Sequence, residues 1–312
     1  MKIKKILDYR FNTRRHPNWS ILFTIAVKFL ILIQFILQSL RYIRGLYALL
    51  KLKEYRNSGK NSFALVLGNG PIADELPYDL LKDLNGKKNF YVYGVNFILN
   101  SKIAEKLKVD YLILSDPETL DLESKNERVH QLWIKIKQCK PTIFIPFSYY
   151  NEIKKFEKFT SEIYFFNDLS LETISHNINP LLPRGYLSST LLKALAIAVY
   201  ANHKHIFITG ADQSMFTKIS VNKSNRIIQF PTHHLGAEGG HDNDLQGIDV
   251  TDSYFNGLAD YLYDMSSLQL AFRRYFRRQN RITYLGNSLH DFYRKITIEE
   301  FLKKITRPEI ID

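Results

Sequence analysis

Seven short, almost unbroken apolar runs govern what this chain can fold into: residues 62–67 (SFALVL), 90–95 (FYVYGV), 111–115 (YLILS), 142–147 (TIFIPF), 163–166 (IYFF), 205–209 (HIFIT) and 282–285 (ITYL). A strand with one wet face alternates in polarity. Runs that do not alternate are covered on both faces, the mark of a parallel sheet with helices on either side. Helix-like stretches separate several of the runs, at residues 72–81, 101–107, 125–137 and 187–201, with a longer one at 252–279. Strand–helix alternation implies right-handed crossovers, and so a Rossmann-like three-layer α/β domain with a mainly parallel sheet.

Charge divides the chain in two. Residues 1–60 hold 13 Lys and Arg against Asp8 and Glu54, whereas residues 61–312 hold 30 basic and 29 acidic residues. A nucleic-acid-binding reading of the main body is therefore disfavoured, because a phosphate-tracking surface concentrates its cations on the folded domain. The chain divides accordingly into a basic, hydrophobic, helical segment, residues 1–60, and a catalytic-type α/β domain, residues 61–312. Polar residues 55–61 (YRNSGKN) read as the linker between them. The single Cys139 excludes an intramolecular disulfide and any cysteine-rich zinc site.

Within the N-terminal segment, residues 21–37 (ILFTIAVKFLILIQFIL) are apolar but include Lys28 and Gln34, at the short limit for a bilayer span. The pattern continues to residue 52 with Arg41, Arg44 and Lys51 interleaved, as expected of a helix lying in an anionic interface rather than crossing it. A helix pair packed on the domain is the alternative. No small-residue cleavage site follows the apolar run, so a cleaved signal peptide is not expected.

Polar residues collect where the strands end. The first run closes on Leu67-Gly68-Asn69-Gly70-Pro71, a turn whose glycines would let backbone approach a phosphate or ribose. The second closes on Gly94-Val95-Asn96, the third on Ser115-Asp116-Pro117, a later one on Gly210-Ala211-Asp212-Gln213-Ser214, and the last on Gly286-Asn287-Ser288-Leu289. Ligands of open α/β sheets bind beyond the carboxyl ends of the strands, where all of these fall. The hydroxyl run Ser188-Ser189-Thr190 opens an apolar helix, as an anion contact or as a serine N-cap.

Residues 230–249 (FPTHHLGAEGGHDNDLQGID) gather His233, His234 and His241 with Asp242 and Asp244 in a glycine-rich loop. The spacing fits no specific zinc pattern, although Asp242-Asn243-Asp244 matches a DxD cation motif. A histidine general base is the more economical reading. On the helix before the last strand, Arg273, Arg274, Arg277 and Arg278 read as a solvated face.

Taken in order, Leu67-Gly68-Asn69-Gly70-Pro71, Gly94-Val95-Asn96-Phe97, the Ser188-Ser189 helix leading to Ile206-Phe207-Ile208-Thr209-Gly210-Ala211-Asp212, and Asn287-Ser288-Leu289 resemble the bacterial lipooligosaccharide sialyltransferases of glycosyltransferase family 42 and related surface-polysaccharide-cluster proteins. The resemblance spans roughly residues 62–293 and excludes the first 60. It implies a single-Rossmann, GT-A-like fold and an inverting transfer of sialic acid, Kdo or a related ulosonic acid from a CMP-sugar to a cell-surface glycan or glycolipid. It implies no metal requirement and no cofactor beyond the CMP-sugar co-substrate. Asn69, Gly70 and Asn96 would contact the CMP phosphate and ribose. Gly68, Asp116, Ser188, Ser189, Gly210, Ala211, Asp212, Asn287 and Ser288 would line the nucleotide site. The family's HxxGH base motif is represented by His233-His234-Leu235-Gly236-Ala237, without its second histidine, so the base falls to His234, His233 or His241. The tyrosines that hold the leaving phosphate are replaced by Gln213 and Ser214, which leaves sialic acid and Kdo as equal donors.

With the basic segment on the anionic leaflet, the expected location is the cytoplasmic face of the inner membrane. A SAM-dependent enzyme would normally carry an acid where Asn96 stands. A pterin pyrophosphokinase-like enzyme would need Mg²⁺, and a membrane scaffold would need none of the strand-end polar groups.

Overall fold

All seven apolar runs become strands. The computed structural model describes residues 25, 29, 32–33, 35–36, 39, 45–68, 70, 73, 76–85, 89–160, 162–171, 177–185, 189–211, 219–229, 248–251, 258, 262, 276, 279–286 and 294–306. Strands β1 (Phe63–Leu67), β2 (Phe90–Val95), β3 (Tyr111–Ile113), β4 (Thr142–Pro146), β5 (Ile163–Phe166), β6 (His205–Thr209), β10 (Ile282–Leu285) and β11 (Arg294–Ile296) form one eight-stranded sheet in the order β11-β10-β6-β1-β2-β3-β4-β5. Every pairing in it is parallel. Between β6 and β10 the chain adds a small antiparallel sheet of β7 (Ile219–Val221), β8 (Ile227–Gln229) and β9 (Ile248–Asp249).

Side chains leave each strand to alternate faces, and both faces are dry. Phe63, Leu65 and Leu67 of β1 join one core with Leu81, Ile103, Leu132, Trp133 and Phe301 from helices on that side. Ala64 and Val66 join the other, built on the Thr190–Tyr200 helix with Leu192, Leu195 and Ile197. The Glu127–Cys139 helix shows how local sequence sets such an element. Asn126 accepts the Arg128 N–H at 3.0 Å as its N-cap, Val129, Leu132, Trp133 and Ile136 bury one stripe, and Lys140 ends it in the left-handed region. Each of those four side chains contributes on the order of 1.5–3 kcal/mol by leaving water.

Residues 45–60, placed by sequence in the N-terminal segment and its linker, pack on the sheet. The Leu46–Leu50 helix and the 3-10 turn Lys51–Tyr55 cover β5, the last strand of the sheet, whose free edge would otherwise invite pairing with another chain. Leu49 enters one core while Leu52 and Tyr55 enter the other. The Tyr55 ring lies edge-on against Phe144 and Tyr111, with centroids 4.9 and 5.2 Å away. Its hydroxyl starts a buried hydrogen-bond chain: Tyr55 to Tyr93 (2.5 Å), Tyr93 to His203 Nε2 (2.6 Å), His203 Nδ1 to Ser62 (2.7 Å), and Ser62 to the Gly59 carbonyl (2.5 Å). Ser62 spends its proton on that carbonyl, so Nδ1 is the donor to Ser62 and Nε2 accepts from Tyr93. The ring is thus neutral, in keeping with burial, and with Arg281 nearby, lowering its pKa to about 3.

Among the described residues, no helix is long and apolar enough to cross a membrane. Ile25, Phe29, Leu32, Ile33 and Ile36 are helical and solvent-exposed, and Leu46, Tyr47 and Leu50 are exposed whereas Leu49 is buried. The helical stretch expected at 252–279 lies mostly outside the described residues.

Candidate functional site

The strand order reverses direction at β1. From β1 the chain steps outward through β2, β3, β4 and β5, then returns to place β6 on the other side of β1. Helices on the two sides of the sheet diverge here, and the carboxyl-end crevice of such a switch point is where doubly wound sheets bind ligands. Gly68 ends β1 and Gly210 ends β6, and their backbones touch. The Gly68 N–H bonds the Thr209 carbonyl and the Gly70 N–H bonds the Gly210 carbonyl, both at 2.8 Å. A Cβ on Gly68 would stand 2.3 Å from the Gly210 oxygen, and one on Gly210, whose φ is +67°, would stand 2.4 Å from the Gly68 oxygen. Only glycine fits either position. The Ala211 N–H is held in turn by the Tyr284 hydroxyl of β10, at 3.1 Å.

Next along the edge, the ends of β2 and β3 meet the start of the Thr190–Tyr200 helix. Asn96 adopts a φ of 47° and is nearly buried. Its amide nitrogen donates to Asp116 Oδ2 at 2.5 Å and to Thr190 Oγ1 at 3.1 Å, and its oxygen accepts the Ser115 N–H at 3.4 Å. Thr190 donates to Asp116 Oδ1 at 3.2 Å, so the Ser115 hydroxyl, 2.6 Å away, is the donor to Thr190. Three side chains, Asn96, Thr190 and, through Thr190, Ser115, thereby fix one carboxylate. Asn96 is wholly engaged in this frame, and the exposed group at its tip is Asp116.

Asp116 and Ser189 are both helix N-caps by position, yet neither side chain caps its helix. The serine-cap reading of residues 188–190 is thus not what Ser189 does. The Thr190–Tyr200 helix directs its amino end, with its unpaired N–H groups, to the same edge. From Leu191 to Val199 that helix is apolar except for Lys193, which is buried with its ammonium 5.7 Å from the Phe166 ring centroid.

Of the residues expected at the site, Gly68, Gly70, Gly210 and Ala211 gather at the β1/β6 crevice, and Asn96 and Asp116 gather at β2/β3 beside Ser189. Asn69, Ser188, Asp212, Asn287, Ser288 and the histidines His233, His234 and His241 lie outside the described residues. Ser115 and Thr190, noticed in sequence only as parts of polar runs, prove to be hubs of the frame. Tyr284 was hidden in an apolar strand and had no sequence signal. Among the described residues, no group of three or more His, Cys, Asp or Glu side chains could hold a metal ion.

Fold and edge together define a parallel α/β protein with a polar switch-point crevice. No protein-family model matches the chain, and no curated protein is significantly similar to it. Among solved structures, the MAf glycosyltransferase from Magnetospirillum magneticum AMB-1 is similar over 83% of this chain and 40% of its own length, with 9% identity and a TM-score of 0.43. The chain thus spans well under half of that protein.

Proposed function

We propose that the chain is an inverting glycosyltransferase that moves sialic acid, Kdo or a related ulosonic acid from a CMP-sugar to a cell-surface glycan or glycolipid. The observation that carries the reading is the contact of Gly68 with Gly210. It joins the ends of β1 and β6 with no side chain between them, so that a nucleotide phosphate can come close to the backbone at the switch point. The choice of CMP and of the sugar class rests on the order of the strand-end motifs.

In this reading a loop histidine, His234 or His233 with His241 as the alternative, takes the acceptor hydroxyl proton. The acceptor oxygen then bonds to the anomeric carbon while the bond from that carbon to the phosphate oxygen breaks, and CMP leaves with the electron pair. N–H groups at the start of the Thr190–Tyr200 helix, which the Ser189 side chain does not cap, stabilise the charge that develops on the departing phosphate. No cofactor and no metal take part.

A thermal-shift panel of CMP, UDP, GDP, SAM and ATP, each with and without EDTA, tests the assignment. Stabilisation by CMP, unchanged by EDTA, is the expected result, and a preference for SAM or ATP would overturn the reading. Alanine at the true base is expected to lower transfer by roughly 10²- to 10⁴-fold with CMP binding unchanged. Full activity in His233→Ala, His234→Ala and His241→Ala alike would remove histidine from the mechanism.

The membrane reading belongs to the same proposal. Gly45 lies against Phe147 and Tyr150, which follow the carboxyl end of β4, while Gly59 bonds the Ala201 carbonyl at the far edge of the sheet. Residues 45–60 therefore cross the domain from the crevice side to the opposite side. The basic, apolar residues before Gly45 join the domain on the crevice side, where an anionic leaflet would present a lipid-linked acceptor. In this reading the chain works at the cytoplasmic face of the inner membrane.

A further inference from the structure

The Asp116 carboxylate has no role in its own helix. It stands at the N-cap of Pro117–Leu120, where an aspartate normally accepts a backbone N–H of the first turn, but its side chain makes no such bond. The first turn is served instead by the Asp116 main-chain oxygen, which accepts the Thr119 N–H at 3.0 Å and the Thr119 hydroxyl at 2.7 Å. Its carboxylate is drawn away by two donors on other elements, Asn96 Nδ2 at 2.5 Å and Thr190 Oγ1 at 3.2 Å. Each oxygen has one lone pair occupied by this frame and one left over, and the side chain is exposed beyond the end of β3. A surface aspartate without a task would move freely. This one is held at both oxygens by a buried amide and a buried hydroxyl, which leaves a fixed, exposed pair of acceptors at the strand ends.

The chemistry of that ligand follows from what a carboxylate accepts and from where it stands. It repels a phosphate and takes hydrogen from hydroxyl or amino donors. Two adjacent hydroxyls suit two adjacent oxygens. The Gly68 turn is two strands away, about 10 Å at the usual strand spacing. That distance matches a nucleotide phosphate at the glycines, its ribose alongside, and a hydrogen bond at each end.

We propose that Asp116 binds the ribose 2′,3′-diol of the nucleotide, making the site selective for ribonucleotides. This deepens the reading of the crevice as a CMP site and rests on it, but makes a separate claim. Asn96 and Thr190 are positioning residues that act through Asp116.

Calorimetric titration of the full chain with CMP, UMP, AMP and GMP, each beside its 2′-deoxy counterpart, tests both claims separately. The expected result is at least about tenfold tighter binding of CMP than of dCMP, since a site built to bond a hydroxyl rejects an analogue lacking it. Asp116→Asn should bring that ratio close to one while leaving Tm within a few degrees, because the side chain is exposed. Thr190→Val, which removes the donor from one carboxylate oxygen, should lower the ratio partway. Equal affinity of the wild-type chain for ribo- and deoxynucleotides would overturn the diol assignment, as would an Asp116→Asn variant that keeps the full ratio. Discrimination between CMP and UMP that is lost in Asp116→Asn, with none between CMP and dCMP, would assign the carboxylate to the base amino group instead and also overturn it. A different ribonucleotide as tightest binder, with the deoxy discrimination intact, would overturn the CMP reading and leave the diol assignment standing. Binding of none of them would overturn both.

Discussion

Gly68→Ala is expected to abolish nucleotide binding and to lower Tm by roughly 5–10 °C. The added methyl would sit 2.3 Å from the Gly210 carbonyl oxygen, and that neighbour is backbone in a central strand, fixed by the Gly70 N–H. A flexible side chain could swing aside, but here β1 and β6 must part at their ends. Overpacking of this kind costs about 1–3 kcal/mol, and for a chain of this size each kcal/mol shifts Tm by about 2–4 °C. Gly210→Ala should be worse, because it meets the same obstacle and adds a left-handed backbone, worth about a further 1–2 kcal/mol. Calorimetric titration and thermal melts of both variants provide the check. A Gly68→Ala variant with wild-type Tm and wild-type nucleotide affinity would show that the two strand ends do not need to touch and that the crevice is not the ligand site.

How legible each part was depends on whether its physical cause is local. Strands buried on both faces must be apolar throughout, so seven of the eight strands in the main sheet declare themselves. β11 does not: it lies at the sheet margin, where Arg294 and Lys295 are exposed and Ile296 alone is buried. Glycine turns are equally local, and Gly68 and Gly210 were readable as strand-end signals, although their contact was not. The frame around Asp116 is a property of the fold. Its bond to Thr190 spans 74 residues and its bond to Asn96 spans 20. Nothing in either local stretch marks the partner. The reading of residues 45–60 met a different obstacle, since apolar residues spaced on a helix and interleaved with cations serve an interface with lipid or with a sheet equally well. Leu49, Leu52 and Tyr55 take the second course, while exposed Leu46, Tyr47 and Leu50 keep the pattern of the first.

That division predicts opposite outcomes for two truncations that differ by eleven residues. Removal of residues 1–44 takes away nine of the basic residues and the exposed apolar stripe of Ile25, Phe29, Leu32, Ile33 and Ile36. The domain should stay folded, bind nucleotide as before and lose most of its affinity for anionic vesicles, an affinity that in the full chain should fall with salt. Removal of residues 1–55 also takes away Leu49, Leu52 and Tyr55, uncovers the edge of β5 and breaks the hydrogen-bond chain through Tyr93 to His203. Three buried side chains at about 1.5–3 kcal/mol each come close to the whole stability of an ordinary domain, about 5–15 kcal/mol. The buried Tyr93 hydroxyl would be left one hydrogen-bond partner short in a low-dielectric interior. The shorter chain is therefore expected to be insoluble or to melt without a cooperative transition. Circular dichroism melts, nucleotide titration and vesicle co-sedimentation at low and high salt read all of this. Cooperative melting of the chain lacking residues 1–55 would mean that the segment only lies against the sheet, and full vesicle binding by the chain lacking residues 1–44 would move the membrane contact onto the domain itself.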